Sequence, residues 1–246
     1  MTNPASIISL VPSLTELLFD LGLGDRISGR TRFCIHPEKK VENIQIVGGT
    51  KNPDLEKVQT INPDLVIANL EENRKEDVTA LREFTDVMLT DISTIEEARL
   101  AIHEIGERCG AQKKATSINK KINDQLQNIP DEPSQRVAYF IWKDPWMTVG
   151  HDTYIHSVLT HWNLQNVFGS HNRYPKVTLN DVCSRNPELI LLSSEPYPFK
   201  EKHKAEVQEH CPNTRILQVN GEWFSWYGSR MIESFKQLNH FRKAIS

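Results

Sequence analysis

The chain states one pattern twice. Asn62-Pro63-Asp64-Leu65-Val66-Ile67-Ala68 returns as Asn186-Pro187-Glu188-Leu189-Ile190-Leu191-Leu192, 124 residues later in a chain of 246. In each copy a helical stretch is followed by a turn and then by a short run of apolar residues, the order expected for a helix, a turn and a buried strand. The flanks keep the same spacing. Leu55 and Val58 match Leu179 and Val182 upstream, and Glu71 matches Glu195 downstream. A repeat at half the chain length fixes architecture more firmly than any local preference, because each copy must find a core of its own. Lobes of roughly 110 residues are large enough to do so.

The remaining segments fill in that plan. Ile7 to Val11 reads as a buried strand. Ser13-Leu14-Thr15-Glu16 reads as a capping box opening a helix whose Leu14, Leu17, Leu18 and Leu21 share one face, with Gly22 and Gly24 ending it. Thr94 to Cys109 carries Ile95, Ala98, Ile102 and Ile105 at helical spacing and is stopped by Gly110. Gln112 to Ile129 then predicts a rod of about 27 Å with Ala115, Ile118, Ile122, Leu126 and Ile129 on one side, before Pro130. Strands over Val137 to Trp142 and Ile216 to Val219, with helices over Asp152 to His161 and Ser229 to Ala244, complete an alternating series. Such alternation predicts an α/β chain with a parallel sheet in each lobe. The expected division is a lobe over 1–110, a joining helix over 111–131 and a lobe over 132–246.

Composition excludes several classes. With 29 basic and 32 acidic residues spread along the chain, no cluster of Lys and Arg exists to meet a phosphate backbone, so nucleic acid is not an expected partner. No apolar run approaches the roughly 20 residues that span a bilayer. Only five mostly apolar residues precede Pro12, so no signal peptide is read; the chain is either cytosolic or exported by information lying outside this sequence. Cys34, Cys109, Cys183 and Cys211 form no CxxC and are read as small core residues or free thiols.

In parallel sheets, ligands sit beyond the carboxyl ends of the strands. There the second half offers Trp142-Lys143-Asp144-Pro145-Trp146 continuing to Gly150-His151, and Gly221-Glu222-Trp223-Phe224-Ser225-Trp226-Tyr227-Gly228. Four of the five tryptophans fall in these two segments, a pattern suited to covering a large flat or apolar ligand. The first half offers Arg30-Thr31-Arg32-Phe33-Cys34-Ile35-His36 and Asn69-Leu70-Glu71-Glu72. Candidate ligand contacts are Phe33, His36, Asn69, Trp142, Trp146, His151, Trp223 and Tyr227. His103, His156, His161, His203, His210 and His240 fall within helical patterns and are read as ordinary helix residues. Glu71, Glu72 and Glu195 close the repeated strands and are candidates for gripping arginines of a partner.

The opening Ile7-Ile8-Ser9-Leu10-Val11-Pro12-Ser13-Leu14-Thr15-Glu16-Leu17, the Asn62 to Ala68 strand, Thr148-Val149-Gly150-His151-Asp152-Thr153-Tyr154-Ile155, Asn166-Val167-Phe168 and Trp223-Phe224 together resemble the cobalamin, haem and ferric-siderophore receptors of ABC importers. The resemblance covers essentially the whole chain. It implies two Rossmann-like lobes bridged by one long helix, a solute held in a cleft between them by Phe33, Trp142, Trp146 and Trp223, and rim glutamates (here Glu71, Glu72 and Glu195) that dock on permease subunits. It further implies a monomeric, non-catalytic protein of the periplasm or cell envelope. No cofactor is permanently bound on this reading; the transported ligand is cobalamin or another metal chelate. One departure is local: cobalamin receptors carry a glutamate just after the Trp-Phe pair, where this chain has Ser225.

Three alternatives stand beside that reading. A haem or ferric-siderophore receptor is the first, and for the siderophore Arg30, Arg32 and Arg230 would meet an anionic chelate. The second is a cytosolic enzyme using Cys34 and His36 as nucleophile and base or as metal ligands. Capture of a bare zinc or manganese ion by His36, His151 and a carboxylate is the third, and it lacks the ligands of a full site.

Overall fold

The computed structural model describes residues 3–246, which form two compact units. The first takes the chain up to Ile92, then Glu96–Asp124 and Tyr227–Ile232; the second takes Ser93–Ile95, Gln125–Trp226 and Glu233–Ser246.

In the first unit β1 (Ile7–Ser9) leads through α1 (Pro12–Asp20) to β2 (Ile27–Arg30), α2 (Glu38–Val41) and β3 (Gln45–Ile46). A small antiparallel pair, β4 (Gly48–Gly49) with β5 (Asn52–Pro53), precedes α3 (Leu55–Ile61), β6 (Leu65–Asn69), α4 (Lys75–Leu81) and β7 (Val87–Thr90). The five-stranded sheet is parallel throughout in the order β3-β2-β1-β6-β7. Every residue of β6 is buried, as a strand covered on both faces requires. One layer of the core gathers Ile8, Leu10, Val58, Val66, Val78 and Leu81, each worth about 1.5–3 kcal/mol when taken out of water.

Two helices follow, α5 (Ile95–Arg108) and α6 (Gln112–Leu126). The latter carries the chain from the first unit to the second, with the division at Asp124 and Gln125. Its 15 residues make a rod of about 22 Å, shorter than the sequence pattern suggested, because the last turn before Pro130 is not helical.

The second unit runs through β8 (Gln135–Phe140), α7 (Tyr154–His161), β9 (Leu164–Asn166), α8 (Leu179–Ser184), β10 (Leu189–Ser193), α9 (Glu201–His210), β11 (Arg215–Val219), α10 (Glu222–Ser225) and α11 (Met231–Ile245). Its sheet is parallel in the order β11-β10-β8-β9. Reversed, that order matches β2-β1-β6-β7 element for element.

The repeat survives at atomic level. Asp54 and Thr178, again 124 apart, cap α3 and α8 by accepting the backbone N–H of Lys57 and Asp181. An asparagine in the left-handed region follows each helix, Asn62 at φ 50° as the C-cap of α3 and Asn186 at φ 49° one residue past Arg185, the C-cap of α8. The acid after each proline ties its strand's start to the neighbouring strand: Asp64 accepts the N–H groups of Ala5 and Ser6, and Glu188 that of Arg136.

Two local expectations are corrected. The N-cap of α1 is Val11, with Pro12 in the first turn and no side-chain cap. Ser13 is buried and Glu16 forms a bidentate ion pair with Arg230 at 2.6 and 2.7 Å, so the capping box does not form. Arg230 lies in the short stretch of chain that returns to the first unit, where Gly228 at φ 94° takes a backbone conformation that favours glycine beside the Ser13 carbonyl. The cysteine reading is also corrected in part, since Cys183 of α8 and Cys211 after α9 are joined by a disulfide, while Cys34 and Cys109 are buried thiols.

Candidate functional site

In each sheet the chain leaves a central strand to opposite sides, between β1 and β6 in the first unit and between β8 and β10 in the second. The carboxyl ends of those strands are where an open α/β sheet binds its ligand.

On the first unit's rim, Phe33 is 54% exposed and Leu70, directly after β6, is 53% exposed. His36 sits half-buried before a cis peptide bond to Pro37. Asn69 is placed differently from the expectation. It is buried, its Nδ2 donates to the Thr90 carbonyl and hydroxyl, and its Oδ1 accepts the N–H groups of Glu71 and Glu72 at 2.9 and 3.2 Å. Both ends of its amide are used internally, and Asn69 thereby shapes the rim. It holds Glu71 and Glu72, both half-buried, in a turn that Lys51 also reaches through the Glu71 carbonyl. Arg30 is likewise committed, to the carbonyls of Val41 and Thr31.

Cys34 rules out the nucleophile reading. It is fully buried, its Sγ lies 3.1 Å from the Thr31 hydroxyl, and burial pushes its pKa up, away from the thiolate that reactivity needs. Among the described residues, no three His, Cys, Asp or Glu side chains gather where they could hold a metal ion.

On the second unit's rim the aromatic residues separate into two roles. Trp142 follows β8, is 40% exposed, and meets Tyr197 edge-to-face with centroids 5.5 Å apart. Trp146 is half-buried and packs against the core of the second unit. Its ring is stacked on Phe199 at 5.7 Å and lies 4.9 Å from Phe140, and Lys143 Nζ, held by both oxygens of Glu206, rests 4.7 Å from its centroid. Trp223 is half-buried and leans toward Phe241 of α11. Tyr227 is buried and groups with the first unit. His151 is exposed, and its Nδ1 is 2.9 Å from the His171 carbonyl.

Glu195 is held by two side chains of the following segment. Its Oε1 accepts the Ser225 hydroxyl at 2.7 Å and the Trp226 indole N–H at 2.9 Å. It borders an open recess of about 670 Å³ at the ends of β10 and β11, lined by Ser194, Gln218, Asn220 and Glu222. Sequence reasoning found Glu195 through the repeat but missed its partners and missed Tyr197, which no motif marks.

The sequence and the fold have counterparts among known proteins. A protein-family model described as periplasmic binding protein matches residues 7–218. The chain belongs to that family. A relative from Bacillus subtilis named as an uncharacterized ABC transporter substrate-binding lipoprotein is 28% identical, with 96% of this chain and 79% of the relative aligned. The crystal structure of a periplasmic vitamin B12 binding protein of Vibrio cholerae superposes with a TM-score of 0.84 at 21% identity, covering 98% of this chain and 97% of that one. A periplasmic heme binding protein from Pseudomonas aeruginosa superposes at 0.81 with 17% identity, covering 97% and 92%. This periplasmic binding protein is thus the substrate-binding component of an ABC transporter, and its part in transport is capture, not catalysis. None of its described helices is long and apolar enough to cross a membrane.

Proposed function

We propose that the captured solute is cobalamin or a related corrinoid, held against exposed aromatic side chains beyond the carboxyl ends of parallel strands. The observation that carries this reading is the presentation of Trp142, 40% exposed, beyond the carboxyl end of a parallel strand, where a wide apolar ring face has something to lie on; Phe33, 54% exposed, has the corresponding place in the first unit. Likeness to proteins named for vitamin B12 binding supports it. The siderophore alternative loses two of its three arginines, since Arg30 is occupied by backbone carbonyls and Arg230 by Glu16. Trp142, Trp223 and His151 are the proposed solute contacts on the second unit, and Phe33 and His36 those on the first.

Glu71 and Glu195 are the proposed grips for permease arginines, with Glu72 beside the first. They end equivalent strands of the two units, and arginine forks match carboxylates in geometry. The departure at Ser225 supports Glu195 in this role. The Ser225 hydroxyl binds the Glu195 carboxylate, which brings a negative charge to the place where cobalamin receptors carry their glutamate. The Cys183–Cys211 disulfide supports an oxidising compartment such as the cell envelope.

The test is to mix the protein with cyanocobalamin and, separately, with haemin, and to follow absorbance through gel filtration. Co-elution of cyanocobalamin alone is expected. Co-elution of haemin alone would move the reading to a haem receptor, and co-elution of neither would end it.

A further inference from the structure

We propose that Tyr197 is a further solute-contacting residue, whose hydroxyl donates a hydrogen bond to an acceptor on the edge of a solute whose face lies on Trp142. This deepens the corrinoid reading and rests on it.

Position is the first argument. Trp142 and Tyr197 follow β8 and β10, the two strands that flank the reversal of strand order in the second unit, and their rings touch edge-to-face at 5.5 Å with planes 68° apart. An exposed indole thus has a half-buried phenol standing beside it at the ligand end of the sheet.

The second argument is the direction of the phenol's proton. His203 is buried, and its Nδ1 accepts the backbone N–H of Lys200 at 2.9 Å. A backbone N–H can only donate, so Nδ1 carries no proton and the neutral ring holds its proton on Nε2. Nε2 lies 3.3 Å from Tyr197 Oη. The imidazole therefore donates and the phenol oxygen accepts, which turns the phenol's own hydrogen away from His203. Burial, followed by the charges of Lys202 and Lys143, lowers the His203 pKa and keeps this neutral form in place. The ring of Tyr197 is fixed as well, between Trp142, Phe199 at 4.9 Å and His203 at 5.3 Å. A fixed donor beside an exposed flat surface suits a solute with an apolar face and acceptors around its edge. The amide carbonyls of a corrinoid and the carboxylates of a haem both have that chemistry.

Cyanocobalamin and haemin are titrated separately into the full chain and into Y197F and W142A, following quenching of tryptophan fluorescence. Y197F keeps the ring and deletes the donor, so its affinity for the bound tetrapyrrole should fall about threefold to tenfold, the net worth of one hydrogen bond. W142A should lose more. Binding is measured well below each variant's melting temperature, so a stability change does not enter the comparison. Equal affinity of Y197F and wild type overturns this inference and leaves the corrinoid reading standing. If wild type binds neither chromophore, the corrinoid reading fails and the inference falls with it. The chromophore whose affinity drops in Y197F identifies the acceptor as amide or carboxylate.

Discussion

The disulfide between Cys183 and Cys211 closes a loop with a sequence separation of 28, tying α8 to the end of α9 across the core of the second unit. In the chain-entropy description, a cross-link over that many residues removes about 12 cal/mol/K from the unfolded ensemble, or about 3.6 kcal/mol at 25 °C. That is roughly a 400-fold change in the unfolding equilibrium. Urea unfolding of the oxidised protein, of the protein held in reductant and of C183S/C211S should therefore place the two bond-free samples together, well below the oxidised one. The loss should fall on the second unit, whose elements the bond joins. Thiol titration in denaturant without reductant should find two groups, Cys34 and Cys109. Four thiols in protein prepared under oxidising conditions would refute the pairing. Coincident urea curves for all three samples would refute the energetic argument even if the bond forms.

Three more outcomes follow from the geometry. W146A should cost about 3 kcal/mol because its ring fills the space over Phe140 and Phe199, whereas W142A, which loses one edge-to-face contact with Tyr197, should cost about 1 kcal/mol while weakening solute binding; melting curves and titrations of the pair would separate the roles. N186A should destabilise by about 1 kcal/mol and N186G by much less, since only the alanine resents φ 49°; equal losses in denaturation midpoints would contradict the left-handed cap. Stability should also fall in acid. The folded-state pKa of His203 is lowered, so the unfolded chain takes up its proton first; the contribution is complete above about pH 6.5 and is lost as pH falls through that value toward the folded pKa. H203Q should flatten the dependence of the urea midpoint between pH 7 and 5, and an unchanged slope would show that other groups control it.

Much of the fold was legible because its signals are local. Asn62-Pro63-Asp64 and Asn186-Pro187-Glu188 encode a left-handed cap, a rigid turn and a carboxylate that anchors the next strand, all within three residues, so matching them at a fixed offset exposed two equivalent sheets before any contact was known. Glu71 and Glu195 were found the same way, as the residues just past matched strands. The capping box at Ser13 and Glu16 failed because Glu16 had a stronger partner in Arg230, more than 200 residues away, and no short window contains that competition. Cysteine spacing was silent for a similar reason, as the pairing depends on how α8 and α9 lie on one core.

The sequence by itself determined the alternation, the repeat and the strand ends where a ligand belongs, since backbone geometry and hydrophobic period act over a few residues. Only tertiary structure decided which side chains stay exposed and which are packed away. Trp142 and Trp146 are four residues apart and look alike in the chain, yet Phe140, Phe199 and Lys143 occupy one ring and leave the other exposed. Asn69 looked like a reader of ligands until the backbone of Glu71 and Glu72 used its oxygen. Tyr197 carried no signal at all, because the pairing of its hydroxyl with His203, itself held by one backbone N–H, exists only in the folded chain.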